Sequence, residues 1–127
     1  MNGVTYDTGA LIAADHNNRR MWALHAGFLA LEVSPTVPTP VLAEAWRGGS
    51  RQASLAGFLA LCTTEPLTEG QAKAVGTLAA RADHDDIVDV AVVEGANRRR
   101  DAVVTSNPTH IRNIADAARS RLTIETI

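Results

Sequence analysis

The sequence predicts an α/β fold with a mainly parallel sheet of four to five strands. Short runs of β-branched residues alternate with longer amphipathic patterns, as in strands that are joined by right-handed helical crossovers. The chain has 127 residues, of which 46% are hydrophobic and 20% charged, and this composition suits one globular domain spanning residues 1–127. No internal repeat or low-complexity segment interrupts the alternation.

The first third of the chain predicts two strands and two helices. Residues 4–6 form a short β-favouring run that ends at Asp7, and residues 10–14 then suit a helix. Apolar residues at helical spacing predict an amphipathic helix over residues 19–32. Residues 34–39 suit a short strand, whose prolines restrict it to an edge or to its ends.

The middle of the chain predicts three helices and one weak strand. Pro40 suits the first turn of a helix, and the apolar spacing of residues 52–61 predicts another. Residues 63–67 form a weak strand. Residues 68–71 match a capping box, so we expect a third helix to begin there and to run through Ala82.

The last third of the chain predicts two helices and two strands. A helix is expected from about residue 85 to about residue 99, followed by the clearest strand of the chain over residues 101–106. A second helix over residues 109–119 and a final strand over residues 122–124 complete the alternation.

Acidic residues interrupt the apolar helix that begins near residue 85. Asp86 and Asp89 are spaced i,i+3 and so share one face, where two carboxylates roughly 5 Å apart repel by about 3 kcal/mol at an effective dielectric near 20. Capping of a helix start explains Asp83 and Asp85, but Asp89 lies a full turn inside among apolar residues. Burying an unpaired charge there is costly, so we expect a partner, for which a divalent cation is suited.

The predicted topology brings further polar residues to the same edge of the sheet. Ligands of open α/β sheets bind beyond the carboxyl ends of the strands, where Asp7 and Ser106-Asn107 end two of the predicted strands. Glu44 interrupts an otherwise apolar helix start and is a further candidate. These oxygen donors suit Mg²⁺ or Mn²⁺, and no His/Cys set has zinc spacing. The four histidines are expected to be surface or hydrogen-bonded residues rather than ligands: His16, His25, His84 and His110.

Four motifs resemble those of PIN-domain ribonucleases of the VapC toxin type. Residues 7–12 (Asp-Thr-Gly-Ala-Leu-Ile) are similar to the family's Asp-Thr/Ser-Ser-x-Leu-Ile, and Glu44 corresponds to a glutamate in a central helix. Residues 86–91 resemble an Asp-x-x-Asp-Ala-like helix, and residues 103–108 resemble Val-Val-Thr-Ser-Asp-Pro. The motifs lie in family order over essentially the whole chain. The resemblance implies a three-layer α/β/α PIN-like domain that hydrolyses RNA with the help of Mg²⁺ or Mn²⁺.

The same resemblance implies roles for individual residues. Asp7, Glu44 and Asp89 would hold the metal directly or through water, Asp86 would support them, and Asn107 would position water or metal. Arginines are candidate contacts to RNA phosphate, although a solvated charge run is the default interpretation of such residues. The arginines and the supporting polar residues are Arg47, Arg51, Arg98, Arg99, Thr8, Thr105 and Ser106.

Departures from the family pattern leave an alternative function open. Gly9 stands where a serine hydroxyl is common, Asn107 replaces the usual fourth aspartate, and His110 stands where another acid is frequent. One carboxylate fewer weakens metal binding, so the alternative is a catalytically weakened or inactive PIN-like module that binds RNA or an antitoxin. An aspartic protease also carries the Asp-Thr-Gly-Ala of residues 7–10, but that fold is β-rich and this chain is mostly helical.

Partners and compartment follow from the resemblance and from composition. VapC-type toxins usually dimerise and are neutralised by a small antitoxin that lies along an apolar groove. The net charge of −2 argues against a general nucleic-acid-binding tail, and the single Cys62 fits a reducing compartment. No signal or membrane segment is visible, so we expect a cytoplasmic protein without a membrane partner. Two apolar faces are candidates for the antitoxin groove, although ordinary core packing explains them about as well: Met21, Trp22, Leu24 and Phe28, and Leu55, Phe58 and Leu59.

Overall fold

Five parallel strands form one sheet in the computed structural model, which describes residues 3–127. The strand order is β3-β2-β1-β4-β5, and every neighbouring pair is parallel. The predicted α/β fold with a parallel sheet is therefore confirmed. The strands are β1 (Val4–Tyr6), β2 (Thr36–Pro38), β3 (Thr63–Glu65), β4 (Ala102–Thr105) and β5 (Ile124–Thr126).

Helices cover both faces of this sheet. The chain moves from β1 to β3 in one direction and then returns to β4 and β5 on the other side of β1. Right-handed crossovers put the helices of these two halves on opposite faces, and contacts agree because α1 packs on α2, α3 and α4 while α5, α6 and α7 pack together. The helices are α1 (Thr8–Asp15), α2 (Arg19–Ala30), α3 (Thr39–Ala45), α4 (Ala53–Leu59), α5 (Glu69–Ala82), α6 (Ile87–Arg99) and α7 (Pro108–Ala117).

The two central strands are the most deeply buried elements. Every residue of β1 and β4 is buried, as expected for parallel strands with helices on both faces. Tyr6 of β1 lies in an aromatic cluster with Phe58, whose ring centroid is 5.3 Å from that of Tyr6. His25 stacks on Phe58 at 3.9 Å and shares a 2.9 Å hydrogen bond with the Tyr6 hydroxyl. This packing holds β1 rigidly, and β1 carries Asp7 at its end.

The end of α3 is shaped by one buried glutamine. Gly48 and Gly49 follow the helix with φ values of 82° and 85°, in the left-handed region that favours glycine. The Gln52 side chain accepts hydrogen bonds from the Arg47 amide at 2.6 Å and the Gly48 amide at 2.9 Å. It also donates to the Ala45 carbonyl at 2.8 Å. Gln52 therefore satisfies backbone groups that the end of α3 leaves free. Helix α4 begins at Ala53, one residue later than predicted.

The last strand lies two residues later than predicted. Leu122 is 6% exposed and packs into the core from a loop, where its carbonyl accepts a hydrogen bond from Arg112. Strand β5 begins only at Ile124, which is in register with Val103. The helices and strands at the functional edge also lie within two residues of their predicted positions. Among residues 3–127, no helix is both long enough and apolar enough to cross a membrane.

Candidate active site

Three helices begin at the edge of the sheet where the strand order reverses. The reversal lies between β1 and β4, which is the position at which open α/β sheets bind ligands. The residues that precede the three helices are Asp7 for α1, Asp86 for α6 and Asn107 for α7. The positive ends of three helix dipoles therefore converge here, which favours anions and acidic side chains.

Asp7 is buried at the centre of this edge, with 4% of its surface exposed. Its Oδ1 atom accepts the Ala10 amide hydrogen at 2.8 Å and so caps α1. Burial raises the pKa of Asp7, while hydrogen bonds from Thr105 and from the Gly9 and Ala10 amides act in the opposite direction. The Thr105 hydroxyl oxygen accepts the Asn107 amide at 2.8 Å, which leaves its hydrogen for Asp7. The carboxylate is thus fixed in position.

Asp89 lies in the first turn of α6, with 19% of its side chain exposed. The prediction that it lies a full turn inside the helix is wrong, because the helix begins at Ile87 rather than near residue 85. Burial is the main cause that raises its pKa to about 6, and the charges of Asp86 and Asp7 raise it further. His84 and His110 act in the opposite direction. Asp89 therefore has two kinds of neighbour. The histidines favour its charged form, and the carboxylates of Asp7 and Asp86 disfavour it.

Asp86 is the N-cap of α6. Its Oδ1 atom accepts hydrogen bonds from the amides of Val88 at 3.1 Å and Asp89 at 3.2 Å. Ordinary capping therefore explains one oxygen of this carboxylate. Its charge still acts on Asp89, so Asp86 has both a structural and an electrostatic effect at this edge.

Glu44 lies on α3 and is exposed. It accepts a 2.6 Å hydrogen bond from the hydroxyl of Thr8, the residue that follows Asp7 in the chain. Glu44 is not among the charges that raise the pKa of Asp89. The structure thus connects Glu44 to the Asp7 side of the edge, where it borders solvent.

Two histidines that were not expected to be ligands lie beside Asp89. His110 Nδ1 is 3.7 Å from an oxygen of Asp89 and 3.1 Å from Asn107 Nδ2. The ring of His84 lies edge-on to that of His110 at 5.5 Å, and its Nδ1 accepts the Asp86 amide at 3.2 Å. Within residues 3–127, His84, Asp89 and His110 form the only group of three His, Cys, Asp or Glu side chains whose ligand atoms all lie within 4.8 Å of one another.

Ser106 occupies the space beside Gly9. A Cβ atom on residue 9 would lie 3.1 Å from the Ser106 Cβ and in closer collision with its hydroxyl oxygen. The same Cβ would lie 3.4 Å from an Asp7 oxygen. The hydroxyl that the sequence lacks at residue 9 therefore has a counterpart in the same space from Ser106, the residue after β4, which was not evident from the sequence.

The predicted arginines fall into two groups. Arg98 and Arg99 lie at the far end of α6, roughly 15 Å along the helix axis from Asp89 at 1.5 Å per residue. Arg98 pairs with Glu65 and Glu94 at 2.6 and 3.1 Å, and Arg99 pairs with Glu65 and Asp101 at 2.6 and 3.0 Å. Their guanidinium groups are thus already neutralised by carboxylates.

Arg47 and Arg51 lie in the segment between α3 and α4 and are exposed. The Arg47 guanidinium donates to the carbonyls of Ala43 and Trp46 at 3.1 and 2.7 Å, close to the end of α3. Glu44 lies on α3, so Arg47 is close to the helix that carries Glu44. The structure does not bring these arginines together with Arg98 and Arg99.

The acidic residues at this edge supply oxygen atoms of the kind that divalent cations prefer, and Asp7 and Asp86 destabilise the charged form of Asp89, an effect that a cation between them would reverse. Within residues 3–127, however, the predicted ligands Asp7, Glu44 and Asp89 do not all approach one another to within 4.8 Å, as His84, Asp89 and His110 do. The donor set combines carboxylate oxygens with an amide and two imidazoles, which admits Mg²⁺ or Mn²⁺ at the oxygens.

Comparisons with known proteins identify the fold. No protein-family model and no curated protein sequence matches the chain. The structure is similar to a chain of the crystal structure of VapBC2 from Rickettsia felis bound to a DNA fragment from their promoter. The TM-score is 0.74 at 16% sequence identity, and the match covers 98% of each chain. This likeness, at full length, shows that the chain shares its α/β fold with that chain of the VapBC2 structure.

Proposed function

We propose that this protein is a metal-dependent endoribonuclease toxin that hydrolyses RNA phosphodiester bonds and is neutralised by a cognate antitoxin. The observation that carries the proposal is the electrostatic conflict at the edge of the sheet. Burial and the charges of Asp86 and Asp7 raise the pKa of Asp89 to about 6. Such a group of carboxylates, at the switch point of an α/β sheet, is suited to a cation and a phosphate. The similarity in fold to a VapBC2 chain supports the same class of function.

In this proposal Asp7 and Asp89 hold Mg²⁺ or Mn²⁺, and Glu44 contributes from the solvent side. When bound, the cation supplies a water of lowered pKa and neutralises charge on the phosphate. Asp7 is kept in place by the Ala10 amide and the Thr105 hydroxyl. Asp86 fixes the start of α6, and therefore the position of Asp89.

The substrate is proposed to lie across the starts of the three helices. Once a cation offsets the carboxylates, the helix dipoles favour a phosphate, and the exposed Arg47 and Arg51 add positive charge on the α3 side. Arg98 and Arg99 are left out of the proposed RNA surface because each already pairs with two carboxylates. Asn107 and Ser106, which lie between β4 and α7, border the same position and position water or substrate.

The antitoxin is proposed to occupy an apolar groove between α3 and α4. This groove has a volume of about 520 Å³, and Trp46 at its border is 41% exposed. Of the two faces suggested by the sequence, Met21, Leu55 and Phe58 are fully buried in the core and are not available to a partner. The groove is lined by Thr39, Leu42, Ala43, Trp46, Ala56, Leu59 and Ala60. A cytoplasmic homodimer that carries the antitoxin completes the proposal.

Cleavage of RNA tests the proposed function. Purified protein is incubated with structured RNAs and Mg²⁺ or Mn²⁺, with and without EDTA, beside Asp7→Asn and Asp89→Asn. We expect each variant to lose more than about 100-fold in rate, which is the upper end of what loss of an outer-shell metal partner costs. Asp116→Asn is the matched control, because Asp116 is an exposed acid on α7 outside the site. Cleavage that persists in both site variants and in EDTA would refute the proposal.

A second candidate function is a binding module with weak or absent catalysis. The observation that favours it is Asn107, whose side chain contacts His110 and adds no negative charge to the site. In that case the wild type binds RNA or antitoxin without turnover, whereas Asn107→Asp gains metal-dependent cleavage. Equal cleavage by the wild type and Asn107→Asp would exclude the binding module.

A further inference from the structure

We propose that His84, Asp89 and His110 form a site for a borderline divalent cation, of which Zn²⁺ is the type case. The site shares Asp89 with the proposed ribonuclease centre but requires no RNA cleavage. It differs from that centre in chemistry, because two of its three ligands are imidazole nitrogens rather than oxygens. The geometric basis is the mutual approach of three ligand atoms to within 4.8 Å.

The three side chains come from separate segments that the fold holds together. His84 lies in the loop before α6, Asp89 lies in the first turn of α6, and His110 lies in the first turn of α7. Helices α6 and α7 pack directly on each other. Tetrahedral ligands about 2.1 Å from Zn²⁺ lie about 3.4 Å apart, so closing the cluster requires side-chain movements of about 1 Å. Rotation of exposed or half-buried rings supplies that movement without a change of the backbone.

Asp89 has no hydrogen-bonded cation that would compete with a metal ion within residues 3–127. The basic atom within 4.0 Å of its carboxylate is His110 Nδ1, at 3.7 Å, which is longer than a hydrogen bond and belongs to the cluster itself. The carboxylates of Asp7 and Asp86 lie close enough to raise the pKa of Asp89, so the local potential is negative. A cation bound by Asp89 and the two rings would therefore be attracted by two further charges.

Each imidazole makes one hydrogen bond, and these two bonds would be affected when a cation binds. His84 Nδ1 accepts the Asp86 amide at 3.2 Å, and binding through either ring nitrogen ends this bond. At Nδ1 the cation replaces the amide, and at Nε2 the cation requires a proton on Nδ1. Asp86 is exposed, so water can accept its amide hydrogen instead. The Asn107 side chain, 3.1 Å from His110 Nδ1, can present its oxygen to that ring and orient it for binding.

The ligand set predicts selectivity. Imidazole nitrogen favours Zn²⁺ and other late first-row cations, whereas Mg²⁺ prefers oxygen and keeps several waters. Three protein ligands also leave a position open, as in zinc sites that keep a water or a substrate. We therefore expect this cluster to bind Zn²⁺ much more tightly than Mg²⁺, and to bind one ion per chain.

Calorimetry without RNA tests the site. Tag-free protein is titrated with Zn²⁺ and separately with Mg²⁺, for the wild type, His84→Ala and His110→Ala. We expect one Zn²⁺ per chain and at least a tenfold loss of Zn²⁺ affinity in each variant, with a smaller effect on Mg²⁺. His16→Ala is the matched control, because His16 is an exposed histidine at the end of α1. The site is refuted if both site variants bind Zn²⁺ like the wild type, or if they lose Mg²⁺ affinity to the same extent.

Nuclear magnetic resonance of the wild type gives a readout that needs no variant to fold. Adding Zn²⁺ should shift the Asp86 amide proton upfield as its bond to His84 is lost, and should shift the ring protons of His84 and His110. Unchanged resonances at a saturating Zn²⁺ concentration would overturn the proposal. Because no RNA is present, this result is independent of the ribonuclease proposal. A protein that binds Zn²⁺ here but cleaves no RNA would refute only the latter.

Discussion

Gly9 and Ser106 lie close together beside Asp7. A Cβ atom at residue 9 would collide with the Ser106 hydroxyl and lie 3.1 Å from the Ser106 Cβ. Rotation of the exposed Ser106 side chain relieves the collision with its hydroxyl, but the close approach of the two Cβ atoms remains. This proximity is invisible in the sequence, because the two residues are separated by almost the whole chain.

We expect Gly9→Ser to lower the free energy of unfolding by about 1–3 kcal/mol, as overpacking does. The double variant Gly9→Ser/Ser106→Gly should recover part of that loss, because removing the Ser106 side chain opens the space. Urea unfolding of the two single variants and the double variant gives the coupling energy. Strictly additive effects would show that residues 9 and 106 do not compete.

His25 makes stability depend on pH. Its ring is 3% exposed, and burial lowers the pKa of His25 below its ordinary value. Below about pH 6.5, the ordinary pKa of histidine, the unfolded chain binds a proton that the folded chain resists. The stabilisation by neutral His25 is therefore present above that pH and is lost as the pH falls.

The measurement compares unfolding free energies at pH 7.5 and pH 5.0 in the wild type and in His25→Gln. We expect the wild type to lose more stability on acidification, by at most about 1.4 kcal/mol for each pH unit below the ordinary pKa. His16→Gln is the control, because the exposed His16 is solvated in both states. An identical pH dependence in wild type and His25→Gln would contradict the assignment.

At the scale of the element, α6 connects stability with the candidate site. Its N-cap, Asp86, holds the amides of Val88 and Asp89, and its charge raises the pKa of Asp89. The apolar residues that follow are buried between the sheet and its neighbouring helices. This anchoring fixes the position of Asp89 relative to Asp7, which follows β1.

Two substitutions of Asp86 separate its two effects. Asn is as good an N-cap as Asp, so Asp86→Asn should change the free energy of unfolding by less than about 0.5 kcal/mol, whereas Asp86→Ala should lose about 1 kcal/mol. Both variants remove the charge, so both should bind Mn²⁺ more weakly than the wild type. Denaturant unfolding and calorimetry with Mn²⁺ measure the two effects. Equal destabilisation by Asn and Ala would contradict the capping role.

Local patterns within a helix or a strand decide which site residues could be predicted from the sequence. Asp89 was detectable because a charge inside an apolar helical pattern violates local expectation, and Asp7 because it ends a strand. His84 and His110 gave no such signal, since each is an ordinary polar residue near a helix start. Their approach to Asp89 depends on the packing of α6 on α7, which local patterns do not encode.

At the scale of the whole molecule, the alternation of elements predicted the fold class because each crossover must bury one helix face on the sheet. The order of the strands was not predicted from the sequence. The position of β3 in that order determines the ion pairs of Arg98 and Arg99, because Glu65 at the end of β3 contacts both guanidinium groups. A run of arginines that resembles a phosphate site in sequence is an ion-pair network in the folded chain.

The groove between α3 and α4 gives a prediction about assembly. Ala56 lines this groove and is exposed, so Ala56→Arg should place a charge in the apolar space without disturbing the core. We expect this variant to lose binding to the proposed antitoxin by at least about tenfold, because an unpaired charge is costly in an apolar interface. Ala72→Arg, at an exposed position of α5, is the matched control and should bind like the wild type. Pull-down and calorimetry with the purified pair measure the effect, and equal binding by both variants would move the antitoxin to another surface.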